Sequence, residues 1–172
     1  NNRKPLRILF YHKSSITFLE IHPNCEYIAS VSTDMTIRVG SITQAICVRL
    51  WKCLTNIPMS ARFSHDGKLL MVSCSEGNIY IYNVGSTELV RSMPIEAALI
   101  DAVFSPNDKM IAVTDKSGGF SLWDTIDTGE GCLTVLRIDQ LKPVSIMYLD
   151  NDEIRIIGNL VPESYFDETL RY

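Results

Sequence analysis

LRILFYHKSSITFLEIHPNCEYIASVSTDMTIRVG, residues 6–40, holds a short strand, a His, and an alternating strand that runs into Ile-His-Pro-Asn. Another strand follows, then Ser-Thr-Asp, a turn and a third strand. The layout returns twice. Glu20-Ile21-His22-Pro23-Asn24 aligns with Arg62-Phe63-Ser64-His65-Asp66-Gly67 and with Val103-Phe104-Ser105-Pro106-Asn107-Asp108. Ile21 to Phe63 is 42 residues and Phe63 to Phe104 is 41. Ile37-Arg38-Val39-Gly40, Ile79-Tyr80-Ile81-Tyr82 and Phe120-Ser121-Leu122-Trp123-Asp124 keep the same offsets, so two independent anchor sets agree on one period. A fourth, worn copy starts at Val144-Ser145-Ile146-Met147-Tyr148, 44 residues on from Phe104 when counted to Tyr148, and continues through Ile154 to Gly158.

A period of about 40–45 residues with four short strands per copy is the pattern of a propeller blade of the WD-repeat kind. The expected fold is all-β: the C-terminal portion of a WD-repeat β-propeller, about three blades plus partial strands of a ring of about seven. The segments are 1–11, the outer strand of a preceding blade; 12–53, 54–94 and 95–138, three blades; 139–160, a partial closing blade; and 161–172, a tail. Turn chemistry supports these divisions: Pro23-Asn24 and Asp66-Gly67 both initiate hairpins, Pro by fixing φ and Asn by bonding its own backbone. Ala45 to Trp51 reads as an outer strand at the rim, with Arg49 and Lys52 facing water and Trp51 covering the blade.

The residues also carry a resemblance. Trp123-Asp124 is the dipeptide that names WD repeats, and Tyr82-Asn83 and Gly40-Ser41 occupy its place in the other copies. In WD-repeat families a His before the first strand, a Ser on the second, an Asp in the next turn and the Trp form a hydrogen-bonded set that locks the blade. The resemblance assigns His12, Ser32 and Asp34 to that set in the first copy, with Gly40 where Trp would be. The second copy offers Leu54, Cys74, Glu76 and Tyr82, and the third Ile95, Asp115, Ser117 and Trp123. A buried polar group without a partner costs about 1–3 kcal/mol, so copies lacking the set must be held by apolar packing.

Composition excludes several function classes. A net charge of −4 argues against a nucleic-acid surface, which needs clustered Lys and Arg. Arg3, Lys4, Arg7 and Lys13 read instead as a solvated strand edge. The five cysteines have no metal spacing and no accompanying His pair, so they are expected to be reduced thiols filling core space. No apolar run approaches the length of a transmembrane helix, and there is no signal peptide to read. His22 and His65 fall in hairpin turns, and no phosphate loop or nucleophile elbow is present. Asp101, in the apolar run Leu99 to Phe104, aligns with Phe18 and Ser60 and is expected to face water or a hydroxyl rather than take part in proton transfer. The expectation is a non-enzyme with no cofactor and no metal.

The first copy resembles one blade of the WD-repeat TBP-associated factor family, the scaffold subunits of the general transcription factor TFIID and of SAGA-type histone acetyltransferase coactivators. The residues concerned are Ile21-His22-Pro23-Asn24, Tyr27-Ile28-Ala29, Ser32-Thr33-Asp34-Met35-Thr36-Ile37-Arg38 and Cys47-Val48-Arg49-Leu50; the match covers about a quarter of the chain, while later copies match WD repeats generally. Gly40 and Val31 depart from the family pattern, a drift that fits a paralogue dedicated to the coactivator. The resemblance implies a nuclear scaffold that docks histone-fold subunits while another subunit acetylates. Propeller partners commonly meet the loops before the first strand and between the second and third, here Lys13, Ser14, Thr33, Ser75, Glu96 and Lys116. An adaptor of another assembly, such as a ubiquitin-ligase substrate receptor or an RNA-processing scaffold, is the alternative. An enzyme built on a propeller would need acids or His clustered at loop tips.

Overall fold

The computed structural model describes residues 8–9, 11–53, 56–95, 97–126, 131–137, 141–149 and 153–160. All regular structure in them is β, arranged as three four-stranded antiparallel sheets and one strand pair. The first sheet is β1 (Ile16–Ile21), β2 (Tyr27–Ser32), β3 (Thr36–Ser41) and β4 (Ile46–Lys52), paired in chain order. The second is β5 (Pro58–Phe63), β6 (Leu69–Cys74), β7 (Asn78–Asn83) and β8 (Leu89–Pro94). The third is β9 (Leu99–Phe104), β10 (Met110–Asp115), β11 (Gly119–Asp124) and β12 (Cys132–Arg137), and the pair is β13 (Leu141–Tyr148) with β14 (Ile154–Leu160). The sheets stack through their first strands, β1 on β5, β5 on β9 and β9 on β13, which makes those strands the inner wall of a partial propeller.

Period-two alternation decides which residues meet between sheets. Ala29, Val31, Ile37, Val39 and Trp51 on one face of the first sheet close against Ala61, Phe63, Leu70 and Val72 of the second. Met71, Ile79, Ile81 and Met93 on the opposite face of the second meet Ala102, Phe104, Ile111 and Val113 of the third. Ala112 and Phe120 then pack on Ile146 of the strand pair. Each fully buried Leu, Ile, Val or Met contributes about 1.5–3 kcal/mol, so apolar seams between sheets are the main cohesive term.

Polar groups stitch the same seams, always between consecutive sheets. Arg49 donates from Nε to the Val84 carbonyl (3.0 Å) and from an Nη to that of Gly85 (3.3 Å), while Trp51 Nε1 donates to the Thr87 carbonyl (3.0 Å). Arg91, one repeat later, donates to the carbonyls of Asp124, Ile126 and Gly131 and is only 6% exposed. The expectation that Arg49 faces water is therefore corrected: the rim residue turns sideways because the next sheet's β7–β8 turn offers unpaired carbonyls within reach. The strand register pairs Val39 with Arg49, Ile81 with Arg91 and Leu122 with Thr134, so the third sheet has a Thr at the clamp position. Nearer the inner strands on the same rim, His22 Nε2 donates to the Gly67 carbonyl (3.0 Å), and Asp108 accepts from the main-chain nitrogens of His65 (2.9 Å) and Asp66 (3.0 Å).

The face of the first sheet turned away from the second leaves Leu19 and Leu50 exposed, although Ala61 at the position equivalent to Leu19 is buried. Of the segment expected as a preceding outer strand, Ile8, Leu9 and Tyr11 are described and lie outside any strand; its other residues, like 161–172, fall outside the described set. An outer strand needs a pairing partner, and among the described residues β1 to β4 pair only with each other. Ala45 ends a turn instead of opening β4. All five cysteines are free thiols, but only Cys53 and Cys74 are buried; Cys25 is exposed, so core filling holds for two of them.

The turns repeat as strictly as the strands. Cys25, Gly67 and Asp108 end the first hairpin of successive sheets at φ 58°, 73° and 57°. Met35, Gly77 and Gly118 end the second at 62°, 88° and 87°, and Ala45, Thr87 and Gly131 the third at 56°, 67° and 65°. A left-handed residue with a Cβ costs about 1–2 kcal/mol, and the first sheet has no Gly at any of the three. A Cβ on Gly77 would stand 2.1 Å from the Ile95 carbonyl oxygen and 2.3 Å from that of Ala97. Ala45→Gly and Thr87→Gly are expected to raise stability by about 0.5–1 kcal/mol each, and Gly77→Ala to lower it by about 1–3 kcal/mol, in urea denaturation. A loss on Ala45→Gly would contradict the turn assignment. Arg91→Met should cost about 2 kcal/mol, with Arg91→Lys recovering less than half because an ammonium cannot span the three carbonyls.

Candidate functional site

The rim that carries the loops before β1 and between β2 and β3 holds most of the residues singled out from sequence. His12 anchors it. Its ring is 3% exposed, with Nδ1 3.2 Å from Asp34 Oδ2 and 3.0 Å from Thr36 Oγ1, and Nε2 2.7 Å from Ser30 Oγ. An ionised carboxylate can only accept, so Nδ1 carries the proton that faces Asp34. Asp34 also accepts from the main-chain nitrogens of Lys13 (2.7 Å) and Thr36 (3.0 Å) and from Thr36 Oγ1 (2.5 Å). Burial pushes its carboxyl up, but the hydrogen bonds from Thr36, Lys13 and His12 outweigh burial and hold it well below the usual carboxylate range.

One member of the first copy's expected set stands elsewhere. Ser32 Oγ accepts from the main-chain nitrogen of Asp34 (3.1 Å) and so shapes the turn, while Ser30 is the serine on the histidine. The two serines share one face of β2, two residues apart, and the His12 ring meets the one farther from the turn. Trp123, which belongs to the third copy's set, donates to Ser121 two residues back on its own strand (2.8 Å). Val72 and Val113 occupy the Ser30 position in the next two sheets, both buried in apolar seams. Where Trp is absent, Tyr11 fills the space: a Cβ on Gly40 would lie 2.8 Å from Tyr11 Cε2.

Lys13, Ser14, Thr33, Ser75 and Lys116 are exposed on this rim, and Ser14 Oγ lies 2.7 Å from Thr33 Oγ1. Glu96 falls outside the described residues.

On the inner wall, Asp101 meets a hydroxyl: its Oδ2 accepts from Ser145 Oγ (3.0 Å) and the Ile146 nitrogen (3.4 Å) of the strand pair. Its Oδ1 is 3.7 Å from Arg62 of β5, whose other Nη is 3.6 Å from Glu20 of β1. The Arg62 guanidinium also sits 5.0 Å from the Phe18 ring centroid. One arginine thereby addresses both neighbouring sheets. Sequence reading missed Arg62 because its partners lie about 40 residues away on either side, a separation that only the stacking of β1, β5 and β9 closes.

The family model described as "WD domain, G-beta repeat" matches residues 3–39, and that described as "Anaphase-promoting complex subunit 4 WD40 domain" matches residues 56–104. With three blade-like sheets stacked through their first strands, the chain is part of a WD-repeat β-propeller. It is similar to transcription initiation factor TFIID subunit 5 of Caenorhabditis elegans, 28% identical over 79% of this chain and 21% of that protein. It is also similar to mouse striatin-4, 20% identical over 86% of this chain and 23% of the relative. The transcriptional corepressor LEUNIG_HOMOLOG of Arabidopsis thaliana is 31% identical over 59% of this chain and 12% of its own length. The chain thus spans less than a quarter of each of these relatives.

Asp34→Ala should cost about 1–3 kcal/mol by leaving His12 and two main-chain donors without their acceptor. Because the native carboxyl is depressed, its contribution is fully present above about pH 4, the unfolded value, and is lost as pH falls through the native one. Denaturation across pH 2–7 is therefore expected to show a shallower acid loss for Asp34→Asn than for the natural protein. Parallel curves would remove Asp34 from the network.

Proposed function

We propose that this chain is part of the non-catalytic scaffold propeller of a nuclear transcription complex, TFIID or a SAGA-type coactivator, and docks histone-fold subunits there. The observation that carries the reading is similarity over most of the chain to a protein named as a TFIID subunit. It is supported by the first sheet, where the motif residues quoted above cluster, and by a relative named as a transcriptional corepressor. The absence of Trp at Gly40 and of Gly at Val31 favours the coactivator paralogue within that reading. A scaffold needs rigid sheets that present loops, and the His12 network supplies this by tying the loop before β1 to the turn after β2. Asp101 is engaged in joining β9 to β13, which leaves it a structural task.

The test is affinity purification of the tagged full-length protein from nuclear extract, followed by crosslinking mass spectrometry. Histone-fold subunits crosslinked to Lys13 or Lys116 are the expected result, with an acetyltransferase present in the coactivator case. Recovery of ubiquitin-ligase or RNA-processing subunits in their place would overturn the assignment and leave the propeller intact.

A further inference from the structure

A cleft of about 450 Å³ opens between the inner strands β5 and β9, bordered by Ser75 and Lys116 of the loop rim. Its apolar surface includes Met59 and Val144, which are 49% and 56% exposed. Arg62 reaches into it with a guanidinium whose donors are unmet. Among the described residues no acceptor lies within hydrogen-bond distance, Glu20 and Asp101 stand off at 3.6 and 3.7 Å, and Nε is buried without a partner. The carboxylates offset the charge but not the five N–H donors of the fork. Asp101 has its oxygens committed to Ser145, Ile146 and the nitrogen of Ala102, and Glu20 borders the adjoining cleft on the far side of Arg62. Lys116 at the rim adds a positive charge in a chain whose net charge is −4.

We propose that this cleft binds an extended segment of a partner protein that presents an Asp or Glu carboxylate flanked by apolar side chains. The carboxylate accepts from Arg62 and pairs with Lys116, and the flanking side chains cover Met59 and Val144. The inference rests on the scaffold reading and gives it a partner chemistry. Carboxylates suit the site because a guanidinium fork meets both carboxylate oxygens at once. Apolar neighbours on the peptide exclude water and strengthen that pair.

The experiment is selection of a random octapeptide display library on the immobilised full-length protein. Retained peptides are expected to share an acidic residue between apolar ones. Lys116→Glu, a change at an exposed turn residue, and Arg62→Gln should each reduce their retention about tenfold, the equivalent of one charge-assisted hydrogen bond. Lys68→Glu, at a hairpin on the opposite rim, should leave retention unchanged. No enrichment, a basic or uncharged consensus, or equal retention by Lys116→Glu would overturn the proposal. Normal recovery of the nuclear complex with a failed selection would remove the cleft and keep the scaffold; acidic peptides selected without such a complex would do the reverse.

Discussion

Everything in this molecule depends on the seam between one sheet and the next. A single four-stranded sheet has two faces and can hide neither by itself, so its stability is borrowed from its neighbours. The apolar part of each seam is non-directional and would tolerate sliding. The polar part does not: Arg49 and Arg91 reach the following sheet's outer turn, and His22 and Asp108 join consecutive first hairpins nearer the inner strands. Because each seam is pinned at an inner hairpin and at an outer turn, the angle between sheets is set at two separated points. That is how loops from different repeats come to share one surface.

The His12 network works within a sheet, and the seam determines where it is needed. It sits on the face of β2 turned away from the second sheet, where Ser30 would otherwise be an uncompensated hydroxyl. In later sheets the same position is Val72 or Val113, and no polar partner is required. Tyr11 over Gly40 is a comparable exchange, a ring supplied by the preceding loop in place of one on β3. The repeats thus solve one packing problem with different residues, which explains why the resemblance is strongest in the first copy and generic elsewhere.

The strands and hairpins were legible because alternation and turn chemistry are local and because three copies constrain one another. Ile16–Ile21 and Ile154 onward could be read without knowing what they touch. Ser30 and Ser32 are indistinguishable by alternation because they share one face of β2, and only the approach of His12 chooses between them. Arg49 was read as a solvated rim residue since nothing local announces the Val84 and Gly85 carbonyls. Arg62 gives no local sign for the same reason, and the alignment of Asp101 with Phe18 and Ser60 points to water or a hydroxyl without revealing that Ser145 provides it. What local rules can read is the unit; what they cannot read is its neighbour.

Thr134 at the clamp position has a consequence for how the array comes apart. In a chain of units joined only to nearest neighbours, opening begins at the weakest junction and spreads unit by unit. The first two junctions carry an arginine fork as well as an apolar seam, whereas among the described residues the junction from the third sheet to β13 and β14 is made by Asp101 and a small apolar cluster. Amide protons of β13 and β14 are therefore expected to exchange with solvent through small openings that leave the first two sheets closed. Cohesion is thus graded from junction to junction, and the gradation is written in which outer strand carries arginine.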